Sequence, residues 1–181
     1  MNNDLSIDDR FGFIRPEIDA HTLGISNIGK LLEDCGYKVF NGDTKVSYAV
    51  AHISSLENAS FLINWISVNK ITALGFSYRL DPRDAQQFFG RVFHLLKQNN
   101  MFIDQGGVIK RIYFAGLPEA CRIIQSEYDN KVPVFMGDET QLETLLKVGV
   151  PVNRIPSAVT KGSEYDDRRM SFAKGIIEKG D

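Results

Sequence analysis

The 181-residue sequence contains only two cysteines, Cys35 and Cys121, and neither belongs to a Cys-x-x-Cys pair. We therefore expect neither a disulfide framework nor a zinc or iron–sulfur site. No apolar run reaches the roughly 18 uncharged residues that a membrane helix needs. The amino terminus also lacks a basic segment followed by an apolar one, the pattern of a signal peptide. The sequence thus predicts no contact with a membrane, and a cytoplasmic protein is the default expectation.

The sequence also lacks the charge pattern of a nucleic-acid-binding protein. Its formal net charge is −2, its pI is near 5.9, and no basic stripe interleaved with aromatic residues is present. A Gly-x-Gly-x-x-Gly or Walker-type phosphate loop is missing as well, which argues against an enzyme that uses another nucleotide. What is present is ordinary globular composition, 43% apolar and 24% charged, in a length that suits one α/β domain.

Strand and helix patterns alternate along the chain. Strands are expected at 11–15, 37–40, 71–76, 111–115 and 132–136, and helices at 25–35, 54–68, 82–97, 118–126, 140–149 and 164–179. Residues 43–54 read as a connection, and residues 98–110 as a loop or small hairpin. This alternation predicts βαβ units, hence a parallel five-stranded sheet with helices on both faces.

Three local patterns mark helix starts. Ser54-x-x-Glu57 and Thr140-x-x-Glu143 have the form of a capping box, and Asp81-Pro82 places an N-cap residue before a proline at the first helical position. Gly149 is expected to end the helix that follows Thr140.

One motif stands out where the first strand is expected to lead into the first helix. The segment Asp19-Ala20-His21-Thr22-Leu23-Gly24 has the form Asp-x-His-x-x-Gly. A carboxylate two residues before a histidine can accept the proton of one ring nitrogen and leave the other nitrogen free to bind a metal. Ser77, Gly116 and Gly137 are each expected just after a strand, so they share the carboxyl edge of the sheet with this motif.

These residues resemble the flavodoxin-like (Rossmann-like) cobalamin-binding domain family, found in methionine synthase, acyl-CoA mutases and B12-dependent radical-SAM enzymes. The family pattern is Asp-x-His-x-x-Gly, then Ser-x-Leu after the third strand and Gly-Gly after the fourth. The first element matches fully here, Gly75-Phe76-Ser77 matches the Gly-x-Ser that ends the third strand, and Cys35-Gly36-Tyr37-Lys38-Val39 is similar to the approach to the second strand. The similarity covers roughly residues 11–150.

The resemblance implies a cobalt corrinoid, cobalamin, with its own base displaced from cobalt. His21 would then be the metal ligand on the lower face, Asp19 its hydrogen-bond partner, and Ser77 a residue beside the nucleotide tail. Gly24 and Gly116 would permit close approach. The cofactor-binding residues implied in this way are Asp19, His21, Thr22, Gly24, Ser77, Ala115, Gly116 and Gly137.

The sequence departs from the family pattern at two elements. The Ser-x-Leu element reads Ser77-Tyr78-Arg79, with Leu80 one place late, and the Gly-Gly element reads Ala115-Gly116. We expect Ala115 to narrow the slot for the nucleotide tail by one methyl group. Tyr78 and Arg79 are expected to reshape the mouth of that slot.

The expected organisation is an N-terminal tail at 1–10, a cobalamin-binding domain at 11–156 and a helical extension at 157–181 that can lead to a missing domain. No reaction type is indicated, so the chain is expected to serve a catalytic domain or partner subunit of a methyltransferase, mutase or radical-SAM enzyme. The alternative is a degenerate domain that has lost the cofactor and acts as a non-catalytic interaction or regulatory domain.

Other titratable residues have simpler interpretations. His52 and His94 lack a supporting carboxylate, and we expect them to be core or surface residues; Cys35 and Cys121 are expected to be small buried apolar residues. Asp43 and Asp138 follow strands, as the carboxylates of a receiver-like domain do. That interpretation is weakened because Ser77, and not an aspartate, ends the third strand.

Overall fold

The computed structural model describes residues 4–16 and 23–160. It contains a five-stranded, wholly parallel sheet in the order β2-β1-β3-β4-β5. The strands are β1 (Arg10–Ile14), β2 (Lys38–Asn41), β3 (Ala73–Tyr78), β4 (Arg111–Gly116) and β5 (Val134–Phe135). The chain moves outwards from β1 to β2 and then returns to the other side of β1, so the switch point of the topology lies between β1 and β3. The predicted α/β, flavodoxin-like fold class is confirmed.

Six α-helices connect or follow the strands in the described part of the chain. They are α1 (Leu23–Asp34), α2 (Thr44–Ala51), α3 (Leu56–Val68), α4 (Pro82–Gln98), α5 (Pro118–Glu127) and α6 (Gln141–Val148). Among these described helices, none is long and apolar enough to cross a membrane. Short 3₁₀ turns lie at Ile103–Gln105 and Val152–Arg154.

The helices form two layers, one on each face of the sheet. α1 and α6 pack against each other and bury Leu32, Leu145 and Val148 on one face. The remaining helices, α2 to α5, bury a larger cluster on the other face, which includes Leu62, Phe89 and Ile124. Because both faces are covered, the strand residues that face each layer are buried, as in other parallel sheets.

Local signals at two helix starts are confirmed. Asp81 caps α4 through its side chain, which accepts hydrogen bonds from the amides of Arg83 and Asp84, and Pro82 is the first helical residue. Thr140 and Glu143 form the capping box of α6, and Gly149 ends that helix with φ +107°.

Other boundaries differ from the sequence predictions. The connection expected at 43–54 contains α2, which is capped by Asp43. The Ser54 capping box is wrong: α3 begins one residue later, its N-cap is Ser55, and no side chain caps it. The strand expected at 132–136 shortens to Val134–Phe135, because only these two residues pair with β4. β3 extends through Tyr78, so Ser77 lies inside the strand and not after it.

The amino-terminal edge of the sheet contains a buried ion pair. Asp9, 2% exposed, lies 3.1 Å from Lys110 Nζ and accepts hydrogen bonds from Thr72 Oγ1 (2.7 Å) and the Ser6 amide (2.6 Å). Burial alone would raise the pKa of Asp9, but these hydrogen bonds and the charge of Lys110 outweigh it and lower the pKa. The ion pair joins the segment before β1 to the segment before β4, and the Thr72 hydrogen bond joins it to the segment before β3.

Candidate functional site

The two faces of β3 carry side chains of very different size. Leu74, Phe76 and Tyr78 point towards the larger core under α2 to α5. The alternate residues Ala73, Gly75 and Ser77 face α1 and α6, since successive side chains of a strand point to opposite faces. The central strand therefore offers only small side chains to one helical layer, and that layer cannot close completely onto the sheet.

A cleft lies over two of these small residues, Gly75 and Ser77. Its volume is about 620 Å³, within the range of roughly 300–1,000 Å³ that is typical of cofactor and ligand pockets. It lies between the sheet and the α1/α6 layer. Residues of α1 (Asn27, Ile28, Lys30, Leu31 and Asp34), of α6 (Gln141, Thr144 and Val148) and of β1, β3, β4 and β5 line it. The cleft thus reaches both strands that flank the switch point, where open α/β sheets bind ligands.

Aromatic rings form the sheet side of the cleft on either side of β3. Phe11 and Phe13 come from β1, Tyr113 from β4 and Phe135 from β5. The ring centroids of Phe11 and Tyr113 are 6.5 Å apart, and those of Tyr113 and Phe135 are 6.2 Å apart. Such a surface suits a flat, largely apolar ring system, because aromatic rings gain from offset stacking and edge contacts.

Two of these rings are fixed by further contacts. Tyr113 donates a hydrogen bond from its hydroxyl to the carbonyl oxygen of Val148 (2.7 Å), and burial raises its pKa, so the hydroxyl stays protonated. The ring of Phe13 lies over Gly75, where an added Cβ would come within 2.6 Å of it. Gly75 is therefore needed for the position of Phe13 as well as for the width of the cleft.

The polar end of the cleft, which we call the mouth, is formed by Ser77, Arg79, Gly137 and Glu139. Glu139 accepts hydrogen bonds from the amides of Met136 (2.8 Å) and Gly137 (2.9 Å), and it lies 3.7 Å from Lys147 Nζ. Burial alone would raise the pKa of Glu139, but these amides and the lysine charge lower it, so it is a carboxylate at neutral pH.

Ser77 is the most enclosed polar residue of the mouth. It is 6% exposed and lines the cleft. A serine hydroxyl at the wall of a cavity can donate a hydrogen bond to a ligand bound there or accept one from it. The sequence identified Ser77 as a site residue, and the structure places it in the cleft.

Of the other residues expected at the site, some line the cleft and others do not. Ala115 and Gly137 line the cleft with Ser77, and Gly137 has φ +94°, a conformation that favours glycine. Gly116 is the last residue of β4 and does not line the cleft; a Cβ there would lie 2.6 Å from the Tyr78 carbonyl oxygen. Gly24 is the second residue of α1. Asp19, His21 and Thr22 lie outside the described residues.

The expected effect of Tyr78 on the mouth is wrong. Tyr78 is 1% exposed, belongs to the core under α2 to α5, and its ring lies 5.4 Å from that of Phe88. The alternation of β3 turns it away from the cleft. Of the two altered residues, only Arg79 reaches the mouth.

The sequence analysis missed the aromatic residues of the cleft. Phe11, Phe13, Tyr113 and Phe135 lie in strands buried on both faces, where apolar residues are expected at every position. The row Ala73, Gly75 and Ser77 carried the missing signal, because small residues at every second position of a central strand leave space on one face.

The remaining histidines and cysteines are surface or core residues. His52 and His94 are exposed, and the His52 ring lies tilted against the Tyr48 ring with centroids 4.2 Å apart. Cys35 and Cys121 are free and buried, as expected. Within the described ranges, no group of three or more histidine, cysteine, aspartate or glutamate side chains is arranged to bind a metal ion.

Comparison with known proteins gives no assignment. No protein-family model matches the sequence, and a search of curated proteins finds no significant match.

Proposed function

We propose that this chain is a cobalamin-binding domain that holds the cofactor with its nucleotide base displaced from cobalt. In this proposal His21 would hold the cobalt, Asp19 would orient the His21 ring, and the nucleotide tail would occupy the cleft between the sheet and the α1/α6 layer. The chain would serve a catalytic domain or partner subunit of a B12-dependent enzyme.

The observation that supports this proposal most strongly is the row of small residues on β3. Gly75 and Ser77 line a cleft at the switch point, Ala73 continues the row into the core below it, and the Asp19–His21 segment follows β1, the strand beside β3. A ligand with one ring system at the carboxyl edge of the sheet and a second ring that extends along a strand would use both features.

The residues of the cleft suit the chemistry of a nucleotide tail. The rings of Phe11, Tyr113 and Phe135 can pack against an apolar heteroaromatic base, and the Ser77 hydroxyl can donate to or accept from a ring nitrogen. Bound cobalamin would supply the cobalt-centred chemistry, and the residues of this chain would bind, orient and shield it from water.

The position of the tail can be tested with Ala115→Leu. Ala115 lines the cleft on β4, and a leucine there would fill part of the space that the tail needs. We expect this variant to bind cobalamin at least tenfold more weakly than the wild type, as measured by equilibrium dialysis. Its affinity for cobinamide, which has the corrin ring but no nucleotide tail, should change less than twofold.

Two controls accompany this test. Thermal melting of the variant checks that the fold is retained, since overpacking a buried site can cost about 1–3 kcal/mol. Equal cobalamin affinity in the folded variant and the wild type would mean that the tail lies elsewhere.

The altered Ser-x-Leu element supports a second candidate. In that case the chain is an interaction or regulatory domain that keeps the fold without the cofactor, and Arg79 and the Phe13 ring have taken over part of the cleft. Failure of the wild-type protein to bind either corrinoid would favour this candidate.

A further inference from the structure

Arg79 extends across the carboxyl end of the sheet. It follows the last residue of β3, and its guanidinium lies against Gly137, which follows β5: a Cβ added to Gly137 would be 2.7 Å from Arg79 Nη2. Nη1 also approaches the carbonyl oxygen of Met136 at 3.4 Å. Since β4 lies between β3 and β5, the side chain passes over the end of β4 and bounds the mouth of the cleft.

The guanidinium has donors that the described residues do not use. An arginine has five N–H donors, and the contact with Met136 is a single, long hydrogen bond to a neutral acceptor. Glu139, the carboxylate of the mouth, accepts from two backbone amides and lies near Lys147, and no ion pair joins it to Arg79 among the residues described. A half-buried cation with one weak partner is therefore available to an anion.

Ser77 supplies a second polar group at the same place. It precedes Arg79 by two residues, lines the same cleft and is 6% exposed. Towards α6, the lining rings of Tyr113 and Phe135 are apolar. The cleft thus combines an apolar surface for a ring with a cationic fork at its mouth.

We propose that Arg79 binds a phosphate group of the ligand in this cleft, and that it makes the site selective for corrinoids that carry this group. In cobalamin the group is the phosphodiester between the corrin side chain and the nucleotide base. The inference rests on the proposed function. It assigns a binding role to Arg79, which stands where the family pattern has a leucine. The planar guanidinium of arginine can donate to two phosphate oxygens at once, whereas the ammonium group of lysine lacks this paired geometry.

The test compares two probes that differ only in the phosphate, cobinamide and cobinamide phosphate. Isothermal titration gives the affinity of each probe for the wild type, Arg79→Gln and Arg79→Lys. Charge-assisted hydrogen bonds of this kind are typically equivalent to about tenfold or more in affinity. We therefore expect the wild type to prefer cobinamide phosphate by about tenfold, Arg79→Gln to lose the preference, and Arg79→Lys to keep part of it.

Arg83→Gln is the matched control. Arg83 is exposed near the start of α4 and does not line the cleft, so its removal changes the net charge equally without touching the mouth. This variant should keep the wild-type preference. The preference of the wild type should also fall as salt is raised, because salt screens a partly exposed charge pair.

The outcomes separate the two proposals. If Arg79→Gln retains the full phosphate preference while the wild type binds cobalamin, the role of Arg79 is overturned and the proposed function stands. If the wild type binds cobalamin, cobinamide and cobinamide phosphate all undetectably, the proposed function is overturned and the inference falls with it.

Discussion

At the scale of single residues, the cleft depends on the small size of Gly75 and Ser77, the two residues of β3 whose face lines it. Ala73, Gly75 and Ser77 lie on the face towards α1 and α6, whereas the residues between them fill the opposite core. The same alternation sets the positions of Tyr78 and Arg79, the two residues that depart from the Ser-x-Leu element. Tyr78 enters the opposite core, and Arg79 remains at the mouth.

The Asp9–Lys110 pair leads to a prediction about stability and pH. Asp9→Asn should lower the free energy of unfolding at pH 7 by about 2 kcal/mol. The substitution replaces the buried carboxylate with a neutral amide, which removes the ion pair with Lys110 and weakens the hydrogen bonds that Asp9 accepts. Asp9 has a lowered folded-state pKa, so its contribution is fully present above the ordinary value of 3.8 and is lost as pH falls through the folded-state pKa.

Urea unfolding of the wild type and the variant from pH 7 to pH 2.5 measures this contribution. The difference between them should be constant above about pH 5 and shrink below the ordinary pKa of aspartate. Asp8→Asn is the control, since Asp8 is exposed next to it in the chain. A difference that stays constant down to pH 2.5 would contradict an ionic role for Asp9.

At the scale of elements, α6 forms one side of the cleft and its start is fixed by a capping box. Thr140 Oγ1 accepts from the Glu143 amide at 3.1 Å, and the Glu143 carboxylate accepts from the Thr140 amide at 3.4 Å. Thr144 and Val148 of this helix line the cleft. The cap therefore stabilises a helix that shapes the candidate site.

Thr140→Ala should destabilise the protein by about 1 kcal/mol, because the first turn of α6 loses its side-chain acceptor. For a chain of this length, the expected fall in melting temperature is about 2–4 °C. Thr140→Ser keeps the hydroxyl and should melt close to the wild type. Equal melting temperatures for the alanine and serine variants would show that the cap contributes nothing measurable.

The elements that the sequence predicted correctly have local causes. The caps of α4 and α6 depend on residues within one helical turn, so Asp81-Pro82 and Thr140-x-x-Glu143 could be recognised directly. The errors have two causes, a pairing partner that is distant in sequence for β5 and the short length of the helix for α2. β5 is shorter than its apolar run because only Val134 and Phe135 pair with β4, and α2 was missed because it has only eight residues.

The same distinction applies to the candidate site. Ser77, Gly116 and Gly137 were expected just after strands, and Ala115 was named through the family resemblance. The structure brings Ser77, Ala115 and Gly137 to one cleft, which Gly116 does not line. Phe11, Phe13, Tyr113 and Phe135 could not be chosen from the other buried residues, since their face of the sheet is fixed only by packing. The structure does not describe Asp19, His21 and Thr22, so their roles remain predictions.

At the scale of the whole molecule, the topology places the described residues of the candidate site at one edge of the sheet. The strand order reverses between β1 and β3, the Asp-x-His-x-x-Gly segment begins after β1, and Ser77 and Arg79 lie at the end of β3. The cleft extends from this edge between the sheet and α1. A cofactor with a metal-centred ring and a long tail is therefore the ligand that we propose.

The most direct test of this proposal is a visible-absorption titration of the protein with hydroxocobalamin and methylcobalamin, repeated for His21→Ala. We predict saturable binding by the wild type, with the spectrum of a histidine-ligated corrinoid whose own base is displaced. His21→Ala should bind at least tenfold more weakly or give a spectrum without histidine ligation. Identical spectra and affinities for the two proteins, or no binding by the wild type at high micromolar cofactor, would contradict the proposal.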